Sequence, residues 1–239
     1  MAADARGLSR RAQPRGRQRH PRDHARTAAG RGVRYRGGQF AWINTRRPAL
    51  PVFDHPFSFS SPASEAPRIR LTIKARGDFT RGLHALAPGT PVVVDGPHGS
   101  FGLAGHPGEA VCLVAGGIGI SSIVGVLREL HAARDARPLS LVYGARSLEQ
   151  LVYVEEIRAM AGDLRLSVRL HLDEPPPGWT GAVGRIDAAA LRSALSGAVP
   201  GRWVCLVCGP TPMILAVERQ LIAAGVPPRS VIYERFEYD

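Results

Sequence analysis

Apolar residues along the chain fall into two textures that change near residue 106. Between Gly37 and about Gly99 they come in short runs: Gln39-Phe-Ala-Trp-Ile43, Pro56-Phe-Ser-Phe-Ser60, Arg68-Ile-Arg-Leu-Thr-Ile-Lys74 and Pro91-Val-Val-Val-Asp95. Pro, Gly and Ser separate them. The third run alternates apolar with polar, the period of a strand with one buried and one solvated face. Strands at this spacing predict a small antiparallel β-barrel over 33–106.

Beyond Gly108 the runs lengthen and alternate with helical periods. Residues 111–115 (Val-Cys-Leu-Val-Ala) read as a strand buried on both faces, followed by a glycine loop and a helix to about residue 133. Residues 139–143, 164–172, 203–207 and 231–236 predict four further strands. Helices are predicted over 148–160, from an Asp187 N-cap through 195, and from a Thr211 N-cap with Pro212 in its first turn to 224. Such alternation predicts an α/β domain over 107–239, a parallel sheet with helices on both faces.

Residues 1–32 have no such period and almost no aliphatic residues, so they predict a disordered, arginine-rich tail. This segment also locates the net charge of +11: residues 1–36 hold eleven arginines against Asp4 and Asp23, which is +9 and leaves +2 for the other 203 residues. The basicity therefore belongs to the tail, and nucleic acid is not the expected partner. A nucleic-acid-binding arm, a catalytically impaired remnant and an aberrantly translated start are the alternatives.

Three cysteines (Cys112, Cys205, Cys208) form neither a disulfide framework nor a cluster motif. A reducing cytoplasm is the expected location, and no N-terminal apolar region predicts a secretory signal. Residues 110–127 are 18 without a charge, but four glycines and two serines divide them into strand, loop and helix rather than a membrane span. No transmembrane segment is expected.

Parallel sheets bind ligands at the carboxyl ends of their strands. Ala115-Gly-Gly-Ile-Gly-Ile-Ser121 follows a strand and opens a helix, where backbone N–H groups and the helix terminus suit a pyrophosphate. A tight strand–helix turn is the alternative. Arg146, ending the second strand of this domain, suits an adenosine 2′-phosphate or is a solvated loop arginine. Cys208-Gly-Pro-Thr-Pro-Met213 makes a floor for a nicotinamide ring or a plain connector. His55-Pro-Phe-Ser-Phe-Ser-Ser61 offers a ring, a hydroxyl and a base to a flavin, or is a half-buried edge strand.

Together these segments resemble the ferredoxin–NADP reductase superfamily, closest to its bacterial ferric-reductase and NADPH-oxidase-like branch, over about residues 33–239. The resemblance implies an FAD-binding barrel and an NAD(P)-binding domain that move a hydride from NADPH (or NADH) to FAD. Single electrons would then pass to ferric iron, a haem protein or a small redox protein. A membrane haem partner would place the chain at the inner face of the membrane.

His55, Pro56, Phe57 and Ser58 resemble the first flavin segment, with Ser58 toward the flavin N5. Ile73, Lys74 and Thr80 resemble the second, with Thr80 toward the pyrophosphate. Gly96-Pro-His-Gly99 is similar to the turn leaving the barrel. Gly116, Gly117, Ile118 and Gly119, with Arg146, Cys208, Gly209 and Met213, correspond to the nucleotide segments. Phe236 resembles the terminal aromatic that covers the flavin. Ser58, Cys208 and Phe236 are the expected catalytic residues. Two strands that the family has before Tyr35 find no counterpart in residues 1–32, so the barrel is expected to be incomplete.

Overall fold

The computed structural model describes residues 2–4, 22–27, 34–45 and 55–235. In the first half, β1 (Ala2–Asp4), β2 (Arg22–Thr27), β3 (Phe40–Asn44), β4 (His55–Ser58), β5 (Arg68–Thr72) and β6 (Pro91–His98) form one sheet, with helix α1 (Asp78–Gly82) before β6. Its strand order among the described residues is β4-β3-β6-β1-β2-β5. Every neighbouring pair is antiparallel.

The two ends of that order meet. Phe59, one residue beyond β4, bridges Leu71 of β5, and the Ser60 N–H donates to the Arg70 carbonyl at 2.8 Å. The sheet thus closes on itself around Tyr35, Ile43, Phe59, Ile69, Leu71, Ile73 and Val94, all buried. Closure satisfies edges that an open sheet leaves bare.

Two of these strands fall inside residues 1–32, where the side-chain pattern predicts none. β1 lies between β6 and β2, and β2 pairs along β5 from Arg22↔Thr72 to Arg26↔Arg68. The physical reason is that a strand's ladder is made by backbone groups. Arg22-Asp-His-Ala-Arg-Thr27 carries no apolar alternation, and its pairing is decided by the neighbours that already own the buried positions. The rest of residues 1–32 lies outside the described residues.

The second half alternates as its pattern predicts: β7 (Ala110–Gly116), α2 (Ile120–Ala132), β8 (Leu139–Ala145), α3 (Val154–Asp163), β9 (Leu166–Leu172), β10 (Ala182–Val183), α4 (Ala188–Ala194), β11 (Trp203–Gly209), α5 (Thr211–Ala223) and β12 (Val231–Arg235). These strands form a parallel sheet ordered β10-β9-β8-β7-β11-β12. β7 and β11 are buried along their whole length. On one face α2 and α3 cover Leu113, Leu141, Tyr143 and Leu206; on the other α4 and α5 cover Cys112, Val114, Cys205 and Val207.

Asp187 caps α4 as predicted, its carboxylate accepting from the Ala190 N–H at 2.8 Å. The cap of α5 is Pro210 rather than Thr211, which is the first helical residue. α3 begins at Val154, later than its pattern predicts. Tyr153 stands at φ 67° and breaks the helix, and its hydroxyl is bonded to Thr72 of the barrel. A tertiary contact overrides local propensity there. Among the described residues no helix is long and apolar enough to cross a membrane.

α2 and α3 also join the two halves. Arg128, 6% exposed, is held by Glu156 (Nε–Oε1 2.6 Å, Nη2–Oε2 2.8 Å), donates to the Ser60 carbonyl and lies over the Tyr153 ring at 4.9 Å. Glu129 accepts from the Gly37 N–H at 2.6 Å. A buried guanidinium is tolerable only when its charge and donors are answered in this way.

Candidate active site

Where the two halves meet, four side chains from four elements converge. Ser58 ends β4, Ser122 lies in the first turn of α2, Cys208 is one residue from the end of β11, and Glu234 is one residue from the end of β12. Parallel register sets Cys208 directly beside Glu234. The Ser122 hydroxyl donates to Glu234 Oε2 at 2.7 Å, and the Oγ atoms of Ser122 and Ser58 are 2.8 Å apart. The Cys208 thiol donates to Ser122 Oγ at 3.7 Å.

The electrostatics follow from this burial. Desolvation pushes the Glu234 carboxyl up to about 7, against the opposing pull of hydrogen bonds from Ser122 and Ser58. Burial, and then the neighbouring Glu234 charge, push the Cys208 thiol well above its ordinary value. Cys208 is therefore a neutral thiol, and Glu234 is a group that gains and loses a proton near neutrality.

Ser58 and Cys208, expected from sequence, are brought together here. Ser122 and Glu234 are the residues that the sequence did not announce. Ser122 stands where a dinucleotide fingerprint has its third glycine, and Glu234 directly precedes the segment expected to cover the flavin. The terminal aromatic itself, Phe236, lies outside the described residues.

The glycine loop forms a single 3-10 turn, Gly117–Gly119, between β7 and α2. Gly117 has φ 53°, and a Cβ there would project into open space. That is the shape of a cradle with room above its backbone. Its neighbours are glycine for another reason. A Cβ on Gly119 would run into the Cys208 carbonyl; on Gly209 it would stand 2.7 Å from Met213 Cε, and on Gly116 it would meet the same thioether. Met213 packs into the loop pair from below, and Ile118 is half-buried at its rim.

In the barrel, the His55 ring stacks on Phe79 at 3.9 Å and 8°, with Phe57 parallel to Phe79 at 6.4 Å. Among the described residues His55 Nδ1 is buried without a hydrogen-bond partner. Pro56 and Lys74 are exposed, whereas the Ile73 side chain belongs to the barrel core. Thr80 Oγ1 is engaged by its own turn, accepting from the N–H groups of Arg76 and Gly77 at 2.9 and 3.0 Å. Arg146, at the end of β8, is paired with Glu174 at 2.9 Å. The orphaned His55 nitrogen and the open Gly117 cradle both fit a bound flavin and dinucleotide.

Comparison with known proteins agrees with this geometry. Residues 25–101 match an FAD-binding domain family and residues 113–219 an oxidoreductase NAD-binding domain family. The chain is 32% identical over 222 residues to ferredoxin–NADP reductase B of Sorangium cellulosum, covering 88% of each. It is 30% identical over 167 residues to NADH-cytochrome b5 reductase 1 of Cryptococcus neoformans, covering 65% of this chain and 56% of that protein. It thus spans little more than half the length of that reductase. The cytochrome b5 reductase domain of Ulva prolifera nitrate reductase shares the fold, with a TM-score of 0.80 at 21% identity over 98% of this chain and 96% of that one. With a closed barrel, a parallel sheet and matches to both cofactor-binding families along it, the chain belongs to the ferredoxin–NADP reductase superfamily.

Proposed function

We propose that the chain is an NAD(P)H-dependent flavin oxidoreductase. The observation that carries this reading is the Ser58–Ser122–Glu234 hydrogen-bonded chain beside Cys208, which spans both halves at the carboxyl edge of the parallel sheet. FAD, when bound, supplies the chemistry: it takes a hydride from the nicotinamide and releases electrons one at a time.

The residues bind and position. Gly117 and the N–H groups of the turn before α2 receive the dinucleotide pyrophosphate. His55, Pro56, Phe57, Ile73 (through its backbone), Lys74 and Thr80 hold the flavin, Thr80 exchanging its turn contacts for a phosphate oxygen. Gly209 and Met213 shape the floor under the nicotinamide. Cys208 presents an uncharged, polarizable thiol and excludes water; it is not a thiolate nucleophile.

The Glu234 carboxyl and the Ser122 hydroxyl form one hydrogen-bonded chain with Ser58 Oγ, and this chain would hold the Ser58 O–H as a donor toward the flavin N5. The protein's chief contribution to hydride transfer is alignment. Phe236 is assigned to cover the flavin until the nicotinamide arrives. The acceptor we assign is ferric iron, a haem protein or a small redox protein. Support comes from the relatives, which are named for cytochrome b5 and ferredoxin.

Purified protein should show flavin absorption near ~450 nm that anaerobic NADH or NADPH bleaches. Ser58→Ala should slow the bleaching about 10- to 100-fold while flavin stays bound, since it removes one positioned hydrogen-bond donor at the reacting centre, a contribution typically worth up to about two to three decades. Colourless protein that does not take up FAD would overturn the reading.

A further inference from the structure

The strand ends where the adenosine ribose belongs carry a charge pattern that decides between the two nicotinamide cofactors. In dinucleotide folds the tip of the second strand meets the ribose 2′ position, an acidic residue receiving a hydroxyl and an arginine receiving a phosphate. Here that tip is Arg146, and its guanidinium is already engaged. Nε and Nη2 both approach Glu174 Oε1 at 2.9 Å. This is the side edge of the guanidinium, one of the two edges that can offer parallel donors to a phosphate.

The pairing is built into the backbone. Beyond the ends of β8 and β9 the two loops continue the ladder, with the Asp173 N–H donating to the Ala145 carbonyl at 3.1 Å and the Glu174 N–H to the Arg146 carbonyl at 2.8 Å. Arg146 and Glu174 are thus held side by side. Asp173 precedes Glu174, and Glu149 follows Arg146 in the next turn, taking the Ser147 hydroxyl at 2.6 Å.

A 2′-phosphate brings nearly two negative charges to that edge. It would have to displace Glu174 from the side edge of Arg146 or bind the end edge with the Glu174 carboxylate still beside it, and either way it meets that negative charge. A 2′-hydroxyl brings a donor that a carboxylate accepts. We infer that Glu174 is a specificity-determining residue, holding Arg146 so that this edge takes NADH in preference to NADPH. The inference rests on the reading of the chain as a nicotinamide-dependent enzyme. Both groups are well exposed, 70% and 61%, so the ion pair itself adds little stability and its removal leaves the fold intact.

The test uses the full chain and two probes that cannot be turned over, ADP-ribose and its 2′-phosphorylated form, titrated calorimetrically. Wild-type protein should bind ADP-ribose about tenfold tighter than the phosphorylated form, a difference of one charged contact. Glu174→Gln should shift that ratio about five- to tenfold toward the phosphorylated probe, and adding Arg146→Gln should remove the shift. Wild-type preference for the phosphorylated probe, or a ratio unmoved by Glu174→Gln, overturns the inference while leaving the enzyme reading intact. Binding of neither probe, with no bleaching of the flavin by NADH, sinks the enzyme reading itself and this inference with it.

Discussion

Glu234 acquires its character from three neighbours on three other elements, which is why the residue could not be picked out in advance. As text it is one of many carboxylates, followed by arginine and phenylalanine. Its burial, the Ser122 and Ser58 hydroxyls and the adjoining Cys208 are all set by tertiary structure. Ser58 and Cys208 were legible because each sits inside a run of recognisable residues. A carboxyl raised to about 7 binds a proton more readily in the folded than in the unfolded chain, where its value is near 4.5. Stability from the neutral form is therefore complete below the unfolded value and falls as pH rises through the folded one. Glu234→Gln removes that dependence. Its stability relative to wild type should rise by roughly 1–3 kcal/mol between about pH 5 and pH 8, read from denaturant midpoints at each pH. A difference that is flat across that range would show that the carboxyl is not held in an apolar setting.

At the scale of the element, helix α2 does two jobs at once. Its first turn carries Ser122 and follows the glycine loop; its middle lies against the barrel, where Gly125 meets Gly37 and the Phe59 carbonyl. The strand–glycine loop–helix unit was legible from residue types alone, and so were the alternating elements after it. What the glycines are for was not. Gly117 opens onto ligand space, whereas Gly119 and Gly125 answer to protein backbone that only the folded chain brings near. Gly125→Ala separates these meanings. Helix propensity favours alanine by about 1 kcal/mol. The added methyl would run into the Phe59 carbonyl, part of a backbone that cannot swing aside, and overpacking of that kind is worth about 1–3 kcal/mol of destabilisation. The clash should win, lowering the unfolding midpoint and loosening flavin retention. A variant more stable than wild type would mean that α2 and the barrel are not pressed together.

Across the whole molecule the arginine-rich N-terminus decides whether a barrel exists at all. Its charge and lack of apolar period read as a solvated arm, because pattern reasoning sees side chains, and a strand between two established neighbours is specified by the backbone ladder they offer. In the folded chain β1 pairs with β6 and β2 with β5, so that removing residues 1–32 would bare one side of each. Closure through Phe59 and Leu71 would be left to hold β5 alone. The arm and the strand readings therefore part at one experiment. If the segment were only an arm, its deletion would leave the flavin spectrum unchanged and abolish a salt-dependent affinity for nucleic acid. As barrel strands, its loss should cost the protein its bound FAD while the parallel sheet, whose core lies on α2 to α5, still binds ADP-ribose. Because the flavin and the nucleotide are held by different halves, joined through Arg128, Glu129 and Tyr153, the truncated chain should keep one ligand and lose the other.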